Sequence, residues 1–306
     1  MMIRLFLSLA LAGAIGSSAF AAGTLTVCLE GNTPPYSLKK GEEGAGFDVQ
    51  VAGELARRLD RTLKIQWFET EQDHDSNPPL DANALLSDGL CDVIAGYPLF
   101  ADALGKPESA TATLPDHDGA KPGDRRRRVK LGTLIPSHPY HFAPLTVVMG
   151  PTLAGRPLHG LADLSGTELG AEEGTLSDTI LMAYGGTRLA NSVTHVVPGH
   201  FRLLERLERG DFEAVLIELH RFDAYRALHS DTRLSPSGWY HPLGFNMGFV
   251  ALDTEARLIE EVNRALADML DKGSLAPLAE AAGMTYLPPR EPQILETISV
   301  VDLYRN

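Results

Sequence analysis

The feature of this sequence that most constrains its fold is a regular alternation of short apolar runs with amphipathic stretches. The runs "TLTVCLEG", "TLKIQWFE" and "CDVIAGY" have the length and the β-branched content of strands. Between them, "GFDVQVAGELARRLDR" carries apolar residues at helical spacing, and "LDANALLSDG" is predicted to be a second helix that a glycine ends. Because a strand-helix-strand order favours parallel pairing with right-handed crossovers, the sequence predicts an α/β fold.

A second alternating series follows, after an irregular stretch. Residues 101–141 mix prolines, glycines and a run of four arginines without periodicity, which predicts a surface excursion. The chain closes with a predicted strand, "LGFNMGFVALD", and two predicted helices within residues 255–283. It therefore contains two α/β units of roughly a hundred residues each, with closing elements that could return to the first. The second series consists of the strand "APLTVVMG", the helix or turn "HGLADLSG", the strand "TELGAEEG", the helix "TLSDTILMAYGG", the strand "VTHVVPG", the helix "HFRLLERLERGD" and the strand "FEAVLIE".

The first residues have the pattern of an export signal. An arginine precedes the apolar run "LFLSLALAGAIG", and Ala19-Phe20-Ala21 is the small-x-small pattern that a signal peptidase accepts. The alternative is a membrane anchor, but a bilayer span needs roughly 20 apolar residues and this run is shorter. We expect residues 1–21 to be a signal peptide cleaved after Ala21, and the mature protein to be periplasmic without membrane insertion.

The chain has two cysteines, Cys28 in the first predicted strand and Cys91 at the start of the third. If both strands belong to one sheet, the two sulfurs can come within bonding distance, and an oxidising compartment would let them form a disulfide. Two buried free thiols are the alternative. A metal site built on the cysteines is disfavoured because they have no Cys-x-x-Cys spacing.

Charge and motifs exclude several classes of function. The formal net charge of −13 disfavours binding to nucleic acid or to anionic lipid. The sequence has no nucleophile elbow, no phosphate-binding loop and no His-Glu-x-x-His motif, so we do not expect an enzyme. The triplets Asp73-His74-Asp75 and Asp116-His117-Asp118 contain ligand atoms for metals, but three adjacent residues cannot easily face one ion. We expect both triplets to be solvated loops and expect no metal site.

Five segments, in this order, resemble the extracellular solute-binding proteins of family 3, which serve ABC importers. The resemblance covers nearly all of the mature chain and implies a type II clamshell of two lobes, each a sheet flanked by helices, joined by two hinge crossovers. It places lobe 1 at residues 24–146 and 244–306, lobe 2 at residues 147–243, and the hinge near 145–148 and 243–246. The five segments are "GFDVQVAGELARRLDRTLKIQW", "LLSDGLCDVIAG", "LADLSGTELGAEEGT", "LLERLERGDFEAVLIE" and "VNRALADMLDKG".

This resemblance implies a ligand in the cleft, near strand ends and helix N-termini. Tyr36 could supply an aromatic wall or pack on the cleft rim. Gly174 and Thr175 precede a predicted helix, where Thr175 could cap the helix, bind a ligand anion, or do both. Glu218 ends a predicted strand, where amino acid binders of this family typically carry an acid for the ligand's ammonium group.

One departure from the family lies after the strand that contains Cys91. Amino acid binders usually place a threonine-containing loop and an arginine there, to grip the ligand carboxylate. Here Gly96 and Tyr97 are followed by proline, leucine and phenylalanine. Arg128, the last of the four arginines, could return to the site through the inserted residues, or belong to a solvated basic loop. The candidate ligand-binding residues are therefore Tyr36, Gly96, Tyr97, Arg128, Gly174, Thr175 and Glu218.

The two cysteines and the segment "GLCDVIAGYP" also resemble a subgroup of this family that is associated with PQQ-dependent methanol and other alcohol dehydrogenases. Two functions follow. The first is a periplasmic receptor that binds a small polar ligand for an ABC importer permease, without a cofactor. The alternative is an accessory protein of a periplasmic quinoprotein dehydrogenase, which binds the enzyme or its cofactor PQQ.

Overall fold

The computed structural model describes residues 23–41, 43–70 and 78–296, together with Leu303 and apart from the side chain of Arg125. The predicted signal peptide and the triplet Asp73-His74-Asp75 lie outside the described residues. The strands are β1 (Gly23–Glu30), β2 (Asn32–Thr33), β3 (Ser37–Leu38), β4 (Arg61–Glu69), β5 (Val93–Pro98), β6 (Thr111–Thr113), β7 (Asp116–His117), β8 (Arg128–Lys130), β9 (Leu134–Pro136), β10 (His141–Met149), β11 (Leu169–Glu172), β12 (Val193–Val196), β13 (Ala214–Glu218) and β14 (Ser235–Leu252). The α-helices are α1 (Phe47–Arg58), α2 (Pro78–Ser87), α3 (Leu176–Thr187), α4 (Arg202–Arg209), α5 (Leu219–Leu228), α6 (Ala256–Asp271) and α7 (Leu275–Ala281).

Two groups of strands, one from each predicted unit, form the two lobes. In the first lobe the strand order is β14-β5-β1-β4-β7, and in the second it is β12-β11-β13-β10. β1 pairs in parallel with both β4 and β5, which confirms the parallel pairing predicted from the strand-helix order. β11 pairs in parallel with β12 and β13. The sequence periodicity thus predicted both series of strands.

Two long antiparallel strands, β10 and β14, join the lobes. The end of β10 pairs with β13 in the second lobe, whereas β14 continues to pair with β5 in the first. Their mutual register shifts on either side of Thr146. The predicted lobe boundaries at residues 147 and 243 both fall within these strands. Residues close to this crossing are therefore the ones that can absorb a change in the angle between the lobes.

Apolar side chains pack on both faces of each half of the sheet. α1 buries Val51, Ala52 and Leu55 against the first lobe, as its helical spacing predicted. α2 packs on the opposite face, and α3 and α4 cover the two faces of the second lobe. Each lobe consequently has its own apolar core.

The predicted disulfide is present. The Cys28 and Cys91 sulfurs are 2.06 Å apart and the Cα atoms 5.6 Å apart. Cys28 lies in β1, and Cys91 lies two residues before β5, the parallel neighbour of β1. The pairing follows from the shared sheet, as expected.

The excursion at residues 101–141 is more regular than the sequence suggested. β6 and β8 form an antiparallel pair, β7 pairs with the edge of β4, and β9 pairs with β14. These strands are only two or three residues long. A period of two cannot be recognised over so few residues, which explains why periodicity missed them.

A C-terminal segment, residues 284–296, contacts both β10 and β14 and so connects the two lobes. Thr285 donates from its amide and its hydroxyl to Asp223 of α5, at 2.7 and 3.1 Å. The amide of Phe142 donates to Leu287 O, and the amide of Leu295 donates to Leu99 O. This segment therefore fixes α5 relative to β10 and to the end of β5.

Asn246 of β14 holds the middle of that segment. Its Nδ2 donates to the carbonyls of Arg290, Pro292 and Gln293 at 2.7 to 3.1 Å, and its Oδ1 accepts from the Arg290 amide. Asn246 is 3% exposed, so these partners take the place of water around its amide group.

We expect Asn246→Ala to lower the free energy of unfolding by about 2 to 3 kcal/mol, because it removes the four hydrogen bonds that hold residues 290–293 on β14. Urea unfolding followed by circular dichroism measures this. The exposed Asn191 provides the matched control, since Asn191→Ala should change the free energy by less than about 0.5 kcal/mol. Equal stability of the two variants would contradict the role assigned to Asn246.

Candidate functional site in the cleft between the lobes

A cavity of about 500 Å³ lies between the two lobes. The first lobe contributes Asn32, Thr33 and Pro34, in and after β2. The second contributes Glu172, residues 198–201, His220, Arg221 and Ala224. A volume of this size can accommodate a small molecule.

An acidic and a basic side chain, Glu172 and Arg221, meet on the wall of this cavity. Glu172 ends β11 and is 7% exposed, and its Oε1 accepts from the Gly199 amide at 3.2 Å. Its Oε2 forms an ion pair with Arg221 Nη1 at 2.6 Å. Arg221 lies in the first turn of α5, directly after the strand that ends at Glu218. The geometry brings two oppositely charged residues, 49 positions apart in the chain, to one wall of the cavity.

A cluster of neutral rings crosses the inner end of the cleft. Tyr36 of the first lobe has its ring centroid 4.8 Å from that of His220 and 5.8 Å from that of His141. Burial, with Arg221 and His141 adding, lowers the pKa of His220 to about 3, and burial lowers the pKa of His141 to about 4. Both imidazoles are therefore uncharged near neutral pH. Tyr36 Oη and His220 Nδ1 have no hydrogen-bond partner within the described part of the chain.

The end of β5 and the residues after it use their backbone amides within the protein. The Gly96 amide donates to the Tyr140 hydroxyl at 2.8 Å, and the Leu99 amide donates to Asn246 O at 2.9 Å. The amides of Phe100 and Ala101 donate to Pro98 O and Leu295 O. Proline at position 98 has no amide hydrogen. These residues accordingly offer a ligand carboxylate no free backbone donor.

Gly96 belongs to a buried network beneath the cleft. Its φ of +66° suits glycine, and an added Cβ would lie 2.4 Å from Asp48 Oδ2. The Tyr140 hydroxyl that accepts from Gly96 donates to Asp48 Oδ1 at 2.7 Å. Burial raises the pKa of Asp48 to about 7, and the hydrogen bond from Tyr140 opposes that rise. The backbone at position 96 thus packs so closely on the buried Asp48 carboxyl that no side chain larger than that of glycine fits there.

None of the seven ligand-binding candidates, all within the described residues, lines the cavity, but three of them contact a residue that does. Tyr36 packs on His220. The Thr175 hydroxyl donates to Glu172 O and accepts from the Asp178 amide, which makes Thr175 the N-cap of α3. Glu218 Oε2 lies 3.9 Å from Arg221 Nη1. These three residues form a second layer around the cavity.

Gly174, another candidate, lies just before α3, and its amide donates to Asp178 Oδ2 at 3.3 Å.

The structure places two of the candidates away from the cleft. Tyr97 is 5% exposed, packs in the first lobe's core and donates its hydroxyl to Ala103 O. Arg128 is exposed on β8 and donates to Thr111 of β6. From the sequence both were candidate ligand-binding residues, with a solvated basic loop as the alternative for Arg128. Tyr97 turns inward because a strand presents alternate residues to opposite faces, and Arg128 is held by the β6–β8 pair.

Sequence reasoning missed Glu172, His220 and Arg221. The stretch after Glu218 has apolar residues at Leu219, Phe222 and Tyr225, a spacing that predicts a helix. Recognising α5 would have put its first turn at the end of β13, where a ligand lies in folds of this class. No local pattern in the sequence predicts the ion pair between Arg221 and Glu172.

No group of three or more metal-binding side chains occurs in residues 23–41, 43–70 and 78–296. Of the predicted triplets, Asp116-His117-Asp118 lies in and beside β7, where Asp118 pairs with Lys39. Within the same ranges, no helix is long and apolar enough to span a bilayer.

Comparisons with family models and with curated proteins found no match. Solved structures do match. The second substrate-binding domain of GlnP from Lactococcus lactis, in an open conformation, is 17% identical, has a TM-score of 0.59, and covers 85% of this chain and 94% of its own. The unliganded, open L-cystine solute receptor of Neisseria gonorrhoeae is 18% identical, has a TM-score of 0.59, and covers 88% and 96%.

The fold is that of a type II, two-lobed periplasmic binding protein. It confirms the predicted fold class. The same architecture also occurs in a histidine kinase sensor domain that is similar to periplasmic binding proteins, at 15% identity and a TM-score of 0.52, covering 88% of this chain and 99% of that one. Since all these identities are low, the likeness concerns the fold, and function must be argued from the cleft.

Proposed function

We propose that this protein is a periplasmic solute receptor that binds a small polar ligand in the cleft and delivers it to an ABC importer. The observation that carries the proposal is the cavity of about 500 Å³ lined by both lobes, with an ion pair on one wall. A ligand that contacts both lobes stabilises their closed arrangement, which is how such a receptor signals occupancy. The open structures of the GlnP domain and of the L-cystine receptor support this use of the fold.

We expect a ligand from a panel of amino acids, organic acids, amines and redox cofactors to raise the melting temperature. At a hundred times its dissociation constant, a ligand adds about 2.7 kcal/mol, which corresponds to a rise on the order of 5 °C. Thermal denaturation followed by fluorescence detects this shift. Asn32→Trp provides the test of location, because Asn32 is exposed, lines the cavity, and a tryptophan there would fill it. The proposal fails if no member of the panel shifts the melting temperature, or if the shift survives Asn32→Trp.

The second candidate is an accessory protein of a periplasmic PQQ-dependent alcohol dehydrogenase. It is favoured by the loop after β5, whose amides are bonded within the protein where an amino acid receptor would offer them to the ligand. Under this proposal the clamshell binds the dehydrogenase or its cofactor PQQ. Co-purification with a dehydrogenase, or a change in the activity of one, would support it, and the absence of both would refute it.

A further inference from the structure

Arg221 is the one lysine or arginine among the described residues that line the cavity. It lies in the first turn of α5, and α5 is itself fixed by the bonds between Asp223 and Thr285. Asp223 is fully buried, so this anchor is shielded from water. The guanidinium is therefore presented by a rigid element.

Glu172 orients the guanidinium without using all of its donors. A guanidinium has five N–H groups. One edge meets Glu172 Oε2 at 2.6 Å, and the other contacts are long, at 3.5 Å from Nη2 to His200 O and 3.9 Å from Nη1 to Glu218. These contacts do not involve Nε, and His200 O takes one of the two Nη2 hydrogens, so the Nε–Nη2 edge can still present its planar fork to the two oxygens of a carboxylate.

We propose that Arg221 binds a carboxylate of the ligand, and that Glu172 is the positioning residue that holds Arg221 for it. This inference rests on the proposed receptor function and specifies its ligand class, a small carboxylic acid that is anionic or zwitterionic. The second lobe then provides the anion-binding group that the loop after β5 lacks.

A cationic ligand fits the same cavity less well. It would have to compete with Arg221 for Glu172, a carboxylate that is 7% exposed and would lose its partner. His220, on the same wall, is neutral and adds no repulsion to an anion. A carboxylate keeps the ion pair intact and adds hydrogen bonds to the unused donors.

Four probes of equal chain length separate the charge classes: glutarate, 5-aminopentanoate, glutaramide and 1,5-diaminopentane. Isothermal titration calorimetry of the full protein at pH 7 is expected to show binding of at least one of the two carboxylates, and weaker or no binding of glutaramide and of the diamine. The proposal is overturned if neither carboxylate binds, or if the diamine binds more tightly than both. Binding of only the diamine or glutaramide would overturn the carboxylate assignment and leave the receptor function standing.

Variants assign the effect to Arg221. Because Arg221→Gln alone leaves Glu172 unpaired, the informative comparison is Glu172→Gln against the double variant Glu172→Gln, Arg221→Gln. The single variant should bind the carboxylate more weakly than the wild type, because it loses the ion pair that positions Arg221 but keeps the guanidinium. The double variant also lacks the guanidinium, and it should bind the carboxylate about ten- to a hundredfold more weakly than the single variant does.

Arg202→Gln is the matched control. Arg202 is exposed, contacts Val197 O and lies outside the cavity lining, so its loss changes the net charge equally. Carboxylate affinity should remain within about twofold of the wild type, since exposed charges are screened by salt. Equal affinities of the single and double variants at Glu172 and Arg221 would overturn the assignment, as would an equal loss in Arg202→Gln.

Discussion

Reduction of the Cys28–Cys91 disulfide is expected to lower the free energy of unfolding by about 4 kcal/mol. The bond closes a loop with a sequence separation of 63 residues, and the chain-entropy model assigns a loop of that length about this much stabilisation. Guanidinium unfolding of the protein with and without a thiol-free phosphine reductant measures the difference. Both cysteines are buried, so reduction must be carried out under partly unfolding conditions before refolding.

The variant Cys28→Ala, Cys91→Ala provides the control for that measurement. It should have a similarly reduced stability, with a further loss from the missing sulfur atoms in the core. It should also be insensitive to the reductant. An unfolding midpoint of the wild type that does not move on reduction would contradict the stabilising role of the disulfide.

The buried carboxyl of Asp48 is expected to make the protein less stable as the pH rises from about 4 to about 7. Burial raises its pKa in the folded protein from 3.8 to about 7. Within that window the unfolded chain loses the proton while the folded protein keeps it, so each pH unit lowers the free energy of unfolding by about 1.4 kcal/mol. The total is on the order of 4 kcal/mol, and above pH 7 this contribution stays constant.

Asp48→Asn removes this titration while keeping an acceptor for the Tyr140 hydroxyl. The variant should therefore gain stability relative to the wild type as the pH is raised from 4 to 7. Urea midpoints at four pH values measure the difference, with the exposed Asp271→Asn as the control that should follow the wild type. Parallel pH profiles of Asp48→Asn and the wild type would contradict the perturbed titration of Asp48.

The first lobe could be predicted because its elements carry strong local patterns. The β1-α1-β4-α2-β5 series combines apolar strands with a clear helical stripe in α1, and parallel pairing of β1 with β4 and β5 follows from that order. The Cys28–Cys91 pairing follows from the same sheet. Short strands such as β6 and β8 were missed because a period of two cannot be recognised over three residues.

The cleft could be predicted only in outline. Its location at strand ends and helix N-termini follows from the fold, but the identities of its wall residues depend on contacts between Glu172 and Arg221 that are far apart in sequence. Arg128 was a candidate because an inserted loop could return the last of the four arginines to the site, with a solvated basic loop as the alternative. In the structure Arg128 donates to Thr111 of β6, and the pairing of β6 with β8 determines the position of Arg128.

Native mass spectrometry of the protein, purified from its own host without dialysis, tests the proposed receptor function most directly. A receptor for a carboxylic acid should carry an adduct of small-molecule mass in the wild type, and this adduct should be a carboxylic acid and should be lost in Asn32→Trp. A bare protein without an adduct, found in a heavier complex with a dehydrogenase subunit, would contradict the receptor function and favour the accessory role.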